Sequence, residues 1–131
     1  MKRLPILFVL AVAVAIFSCS EKRTNEDIAA DAAKMYYEHL ITGRYNEYVA
    51  GFLGTDSIPE SYRKQLMTNA KQFMALQKEE HHGIREVRIV NAVTDSVRKQ
   101  TDVFLMLCFG DSVNEEIVVP MVERNGNWHM K

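Results

Sequence analysis

The sequence predicts an α+β domain in which three N-terminal helices pack on a four-strand antiparallel sheet. Three observations predict it. Apolar residues recur at helical spacing from about residue 24 to residue 80, they give way after Ile84 to runs rich in Val and Ile, and Asn125-Gly126 marks a tight hairpin beyond them. Helices followed by a meander imply a sheet with one face covered by the helices.

Composition narrows the class further. The 131 residues carry 16 Lys plus Arg against 17 Asp plus Glu, a formal charge of −1, with 47% apolar and 25% charged residues. Only three Pro and six Gly are present, which excludes a disordered tail, a collagen-like repeat or a low-complexity array. The balance of charge gives no electrostatic reason to expect nucleic acid. Two Cys, at 19 and 108, cannot build a disulfide framework.

The first helix starts at Thr24-Asn25-Glu26-Asp27, where a hydroxyl is followed three residues on by a carboxylate, the pattern of a capping box with acids in the first turn. Counted at 100° per residue, Ala29, Ala32, Met35, Tyr36, His39 and Leu40 form one stripe opposite Asp27, Asp31, Lys34 and Glu38. Gly43 is placed to end it in a left-handed conformation. A short second helix is expected over about 44–53, with Tyr45, Tyr48, Val49 and Phe52 on one face and Gly51 and Gly54 loosening its end. Ser57 or Asp56 then caps a third helix with Pro59 in its first turn, running to about Glu80 on a stripe of Tyr62, Leu66, Ala70, Phe73, Met74 and Leu76.

Four strands fit the remainder, at about 84–94, 101–110, 113–124 and 127–131. The run from Val103 to Phe109 is apolar on both faces and must be central. Pro120 interrupts an otherwise similar run and cannot donate a ladder hydrogen bond, so it belongs at a bulge or an edge. Asn125 and Gly126 both suit the positive φ of a type I′ turn. Gly110-Asp111-Ser112 marks a second turn and Asp95 to Lys99 a looser third.

Ahead of this domain, Met1-Lys2-Arg3 is a cationic start, and Leu4 to Phe17 carries no charge, so residues 1–18 read as a signal peptide. Fourteen residues at helical rise cover only about 21 Å, short of a hydrocarbon core of roughly 30 Å, which disfavours a permanent span. The run Ile16-Phe17-Ser18-Cys19 resembles the lipobox of bacterial lipoproteins, although Phe17 is bulkier than usual at its position. That resemblance implies cleavage between Ser18 and Cys19, and acyl chains on Cys19, whose thiol can form the thioether. At about 0.8 kcal/mol per buried methylene, several chains anchor durably where one is marginal. The alternative, cleavage after Ala13-Val14-Ala15, shortens the apolar run and leaves Cys19 an ordinary thiol.

Loss of residues 1–18 leaves 14 positive and 17 negative groups on 113 residues. The mature chain is thus mildly acidic and gains nothing from anionic headgroups, so the membrane is a mooring and not a ligand. Residues 19–23 form a short lipidated tether, of which Ser20 to Arg23 reaches at most about 14 Å. Ser20 after the lipidated Cys resembles sorting to the outer membrane, and Glu21-Lys22-Arg23 is not the acidic run associated with surface export. The expected location is the bacterial cell envelope, on the outer membrane facing the periplasm.

The single domain 24–131 resembles small bacterial lipoproteins of unknown function with a nuclear transport factor 2-like, or cystatin-like, fold. The resemblance rests on the element order, on Tyr36-Tyr37-Glu38-His39-Leu40-Ile41-Thr42-Gly43-Arg44-Tyr45-Asn46-Glu47 and on Asn125-Gly126-Asn127-Trp128. It implies a curved sheet wrapped into a cone around a long helix, whose open end holds a ligand pocket or a partner surface. Members include isomerases, dehydratases and proteins without catalysis, and fold analogy alone does not choose among them.

Catalysis of that kind needs a carboxylate, His or Tyr on an inward position, tuned by burial. The two most apolar strands supply none, and the acids Asp102, Asp111, Glu115, Glu116 and Glu123 lie towards strand ends. His39, one turn from Tyr36 on the first helix, is the best single candidate for a base, but most His on such stripes are satisfied structural residues near a helix C-terminus. Tyr36, His39, Tyr45, Tyr48 and Trp128 are candidates for a pocket mouth, or for core residues with polar tips. His81-His82 point 100° apart on a helix, without metal-ligand spacing. Cys108 sits mid-strand among apolar residues and is expected to be inert. No metal or cofactor is expected. The leading expectation is a non-enzymatic tethered domain binding a small apolar ligand or an envelope protein. An isomerase or dehydratase using His39 and Tyr36, and a self-associating domain forming a homodimer, are the alternatives.

Overall fold

A computed structural model describes residues 23–131, so the leader, Ser18, Cys19 and the tether up to Lys22 lie outside the described residues. The order is α1 (Asn25–Ile41), α2 (Tyr45–Ala50), a single 3-10 turn (Thr55–Ser57), α3 (Glu60–His81), β1 (Ile84–Asp95), β2 (Gln100–Phe109), β3 (Asn114–Arg124) and β4 (Asn127–Met130). The four strands form one antiparallel sheet in sequence order. Among the described residues no helix is long and apolar enough to cross a membrane.

Helix α1 begins as its sequence dictates. Thr24 Oγ1 accepts from the Asp27 amide and Asp27 Oδ2 accepts from the Thr24 amide, each at 3.2 Å, which satisfies two amides that a helix start leaves orphaned. Its buried residues are Ala29, Ala30, Ala33 and Leu40, with Tyr36 and Tyr37 packed beside them. The buried stripe is therefore rotated from the expected one, and Met35 stays 44% exposed. Small Ala side chains let the helix lie close on the sheet, which a Met at the centre of the contact would prevent.

Helix α2 is shorter than its spacing predicts, because Gly51 to Leu53 leaves the helix to run alongside β4. The Leu53 amide donates to Met130 O and the Met130 amide to Gly51 O, both at 2.8 Å, with a parallel bridge between Phe52 and Met130. This short segment covers the edge that β4 would otherwise expose. Helix α3 is capped by Pro59, without the expected side-chain cap, since Asp56 and Ser57 belong to the 3-10 turn and Ser57 Oγ donates to Gly54 O.

Strand β2 is central, flanked by β1 and β3. Its inward residues Val103, Leu105, Leu107 and Phe109 are at most 3% exposed and form the core with Val87, Val119, Met121 and the alanines of α1. Register shifts after Ile84 and Ile89 mark bulges or irregularities in β1, places where an antiparallel sheet bends. Pro120 lies in unbroken register opposite Asp102, so no bulge surrounds it. Its carbonyl accepts from Lys131 just beyond the end of β4, so its missing amide falls where the partner strand runs out. Asn125 and Gly126 have φ of 54° and 82° at the β3–β4 turn.

Candidate ligand-binding cleft

The C-terminus of α3 is clasped to the β2–β3 turn. His82 turns left-handed at φ 61°, Gly83 donates to Gln77 O, the Gly110 amide donates to Gly83 O at 2.9 Å and the Asp111 amide to His81 O at 3.0 Å. A Cβ on Gly110 would lie 2.5 Å from His82 O, so the close approach requires glycine. The His81 ring stacks on Phe109 with centroids 4.5 Å apart, and its Nδ1 lies 2.8 Å from Asp111 Oδ2. The hydrogen bond to His81 is the main cause holding the Asp111 carboxyl below its ordinary value.

Nearer its N-terminus, α3 faces α2 and the connecting loop without closing on them. A cleft of about 480 Å³ remains between Tyr62, Leu66, Ala70 and Phe73 of α3 and a wall made by Leu40, Tyr48, Val49 and the loop from Phe52 to Thr55. Of the α3 stripe expected from sequence, only Ala70 is buried, while Tyr62 and Phe73 are 53% and 38% exposed. The volume falls in the range of roughly 300–1,000 Å³ seen for small-molecule sites. Few polar groups enter it, and two are already engaged: Thr55 Oγ1 donates to Phe52 O at 3.0 Å, and Asn69 Oδ1 accepts from Gln65 Nε2 at 2.9 Å.

The wall is stiffened by an aromatic ladder. Tyr37 and Tyr48 meet edge to face with centroids 5.7 Å apart, and Tyr48 meets Phe52 likewise at 5.4 Å. Burial, with the Tyr37 phenol beside it, pushes the Tyr48 phenol well above its ordinary value. Tyr48 is thus a neutral hydroxyl and not a base at neutral pH.

The structure disperses the residues named from sequence as a possible pocket. Tyr48 lines the cleft. Tyr36 is wedged under Gly51, and its hydroxyl donates to Trp128 O at 2.7 Å. His39 is half-buried near the end of α1. Neither Tyr36 nor His39 is among the cleft-lining residues. Tyr45 lies with its ring centroid 5.9 Å from Lys71 Nζ. Trp128 lines a separate hollow of about 320 Å³ with Glu26, Lys99 and Glu123, near the start of α1. Leu53 and Ile58, which sequence reasoning passed over, line the cleft. Large apolar residues in an otherwise Gly-, Asp- and Ser-rich connection were the available signal.

A second cavity of about 470 Å³ adjoins the cleft through the shared residues Phe52 to Thr55. Its remaining lining is Ala50 and the polar residues Asp56, Arg124, Asn125, Asn127 and His129, the last four from β3, β4 and the turn between them. His129 Nδ1 is buried with no hydrogen-bond partner. Among the described residues, no group of three or more His, Cys, Asp or Glu side chains could hold a metal ion.

No family model matches the sequence, and no curated protein matches it. Among solved structures, the chain is similar to a provisionally named NTF2-like transpeptidase from Campylobacter jejuni, with a TM-score of 0.61 at 12% identity. The likeness covers 76% of this chain and 94% of that one. At that identity the likeness speaks for architecture and not for chemistry. The helices over a four-strand antiparallel sheet therefore share the fold of that NTF2-like protein.

Proposed function

We propose that this protein is an envelope lipoprotein, moored to the outer membrane on its periplasmic side through Cys19, whose domain binds a small apolar or amphipathic ligand in the cleft beneath α3. The cleft carries the reading: about 480 Å³ lined mainly by Leu, Val, Ile, Phe and Tyr, closed on one side by a helix that packs loosely. An apolar hollow of that size, with two of its few polar groups already bonded within the protein, favours hydrocarbon over a polar metabolite. The isomerase or dehydratase alternative gains nothing from the geometry, because the Tyr36 hydroxyl is spent on Trp128 and His39 lies off the cleft.

The test is extraction of the full chain from its native membrane and mass spectrometry of what travels with it. An apolar or amphipathic molecule held by the wild type and lost from Leu66→Glu, with the circular dichroism spectrum unchanged, is the expected result. An identical set of molecules on both proteins would end the reading. An apolar envelope segment taking the place of the small molecule would be seen in the same experiment as a co-purifying protein.

A second reading has its own observation. The sheet face away from the helices bears Val93 and Val118, 51% and 50% exposed, beside Phe104 and Met106 on β2. That face suits association with a second copy of the chain.

A further inference from the structure

Helix α3 is held differently along its two halves. At its C-terminus the hold is made by backbone, the Gly110 amide donating to Gly83 O and the Asp111 amide to His81 O, with the His81 ring stacked on Phe109. Towards the N-terminus the fastenings are side chains in water. Arg63 Nε and Nη2 both donate to Asn46 Oδ1 of α2, at 3.2 and 2.9 Å, and Lys71 Nζ stands 5.9 Å from the centre of the Tyr45 ring. Among the described residues, Arg63 and His81 are the α3 side chains that hydrogen-bond to another element. An exposed polar bond such as that of Arg63 contributes little, because water offers the same partners. Of the 22 residues of the helix only Ala70 is buried, so apolar packing adds little more. The chain entering α3 is slack as well: residues 54–58 make no hydrogen bond outside 50–57 among the described residues, and Gly54 sits at φ 83°.

A segment with few buried apolar contacts opens locally at small cost, whereas one tied by backbone bonds and a stacked ring stays in place. The cleft lies beneath the weakly held half, against Tyr62, Leu66, Ala70 and Phe73. We infer that α3 is a lid over the cleft, hinged at its clasp with the β2–β3 turn and latched to α2 by the Arg63–Asn46 bond. His82 and Gly83, left-handed at φ 61° and 87° directly after the helix, are the residues that take up the rotation. At about 1.5 Å per residue the helix is about 33 Å long, so a turn of about 10° at the hinge carries its first residues about 6 Å. Release of the latch admits a guest, and closure over hydrocarbon buries the faces of Tyr62 and Phe73 that stand exposed without one. This inference rests on the binding role proposed above and supplies its gate.

Amide hydrogen exchange, read by mass spectrometry on peptides of the purified full chain in detergent, tests the device. In the wild type, residues 60–73 are expected to exchange about tenfold faster than residues 74–81. Asn46→Ala removes the acceptor on α2 and leaves the sequence of α3 untouched. It should speed exchange throughout 60–73 by about fivefold, the contribution of one exposed polar bond, and leave 74–81 as in the wild type. Laurate added to the wild type should slow 60–73 and not 74–81. One uniform rate along the whole helix overturns the hinge. An effect of Asn46→Ala that is confined to α2 overturns the latch. A graded helix that responds to Asn46→Ala but is not slowed by laurate leaves the hinged lid standing and removes the apolar guest proposed for the cleft.

Discussion

Gly51 and Tyr36 show how one contact sets the geometry of the cleft wall. Gly51 has an ordinary helical backbone, so its role is steric: a Cβ there would stand 2.5 Å from Tyr36 Cδ1. The ring cannot move aside while its hydroxyl is bound to Trp128 O. Gly51→Ala is expected to cost about 1–3 kcal/mol through overpacking, read as a lower urea midpoint with an unchanged slope. Tyr36→Phe, which frees the ring but keeps its bulk, should cost about 1 kcal/mol and should relieve part of the penalty when combined with Gly51→Ala. Additive penalties in the double variant would show that the ring is not pinned through its hydroxyl. The sequence placed Tyr36 correctly on the inward side of its helix. Its partner is a backbone carbonyl 92 residues away, however, and local periodicity carries no trace of a contact that distant.

At the scale of elements, most of the architecture could be read from residue pattern, because each signal there is local. Thr24 with Asp27 starts α1, Gly43 at φ 82° follows its last turn, and Asn125-Gly126 turns the final hairpin. The stretch Val103 to Phe109, apolar on both faces, indeed lies between two neighbours. What escaped was the outcome of competition between elements. Gly51 to Leu53 trades a last helical turn for two hydrogen bonds with β4, and α3 leaves Tyr62, Phe73 and Leu76 of its apolar stripe exposed. The clasp at its C-terminus was equally hidden, since His81 and Asp111 lie 30 residues apart in sequence. That clasp is sensitive to acid. The Asp111 carboxyl is held below its ordinary value of 3.8 by His81, so the stabilisation is present above that value and is lost as pH falls through the lower folded one. Between the wild type and Asp111→Asn, the stability difference measured by urea unfolding should therefore shrink as pH falls below about 4. A difference that stays flat from about pH 5 down to about pH 2 would remove the Asp111–His81 hydrogen bond from the account.

At the scale of the whole molecule, two predictions concern what the domain touches. Labelled palmitate should enter the wild-type chain and not Cys19→Ala, and equal incorporation would remove the mooring. If the outer sheet face joins two copies, light scattering of the full chain in detergent should show a mass that falls to the monomer in Val118→Lys. Val118 sits at the middle of β3 opposite Phe104, and a charge there faces its own copy across any symmetric contact. An unchanged mass would place any association elsewhere. The packing of the helices carries no trace of the proposed self-association, because it would use a sheet face that the helices do not cover.

The segment Gly51 to Leu53 that runs beside β4 has a consequence for the order of events during biosynthesis. It emerges from the ribosome long before Met130, yet Met130 is the residue that fastens it. Until that fastening occurs, the loop shared by the two cavities has no fixed shape to offer a guest. If the domain binds a ligand as proposed, loading would wait until the last strand has zipped into place. A chain interrupted before β4 would lack the strand that fastens Gly51 to Leu53.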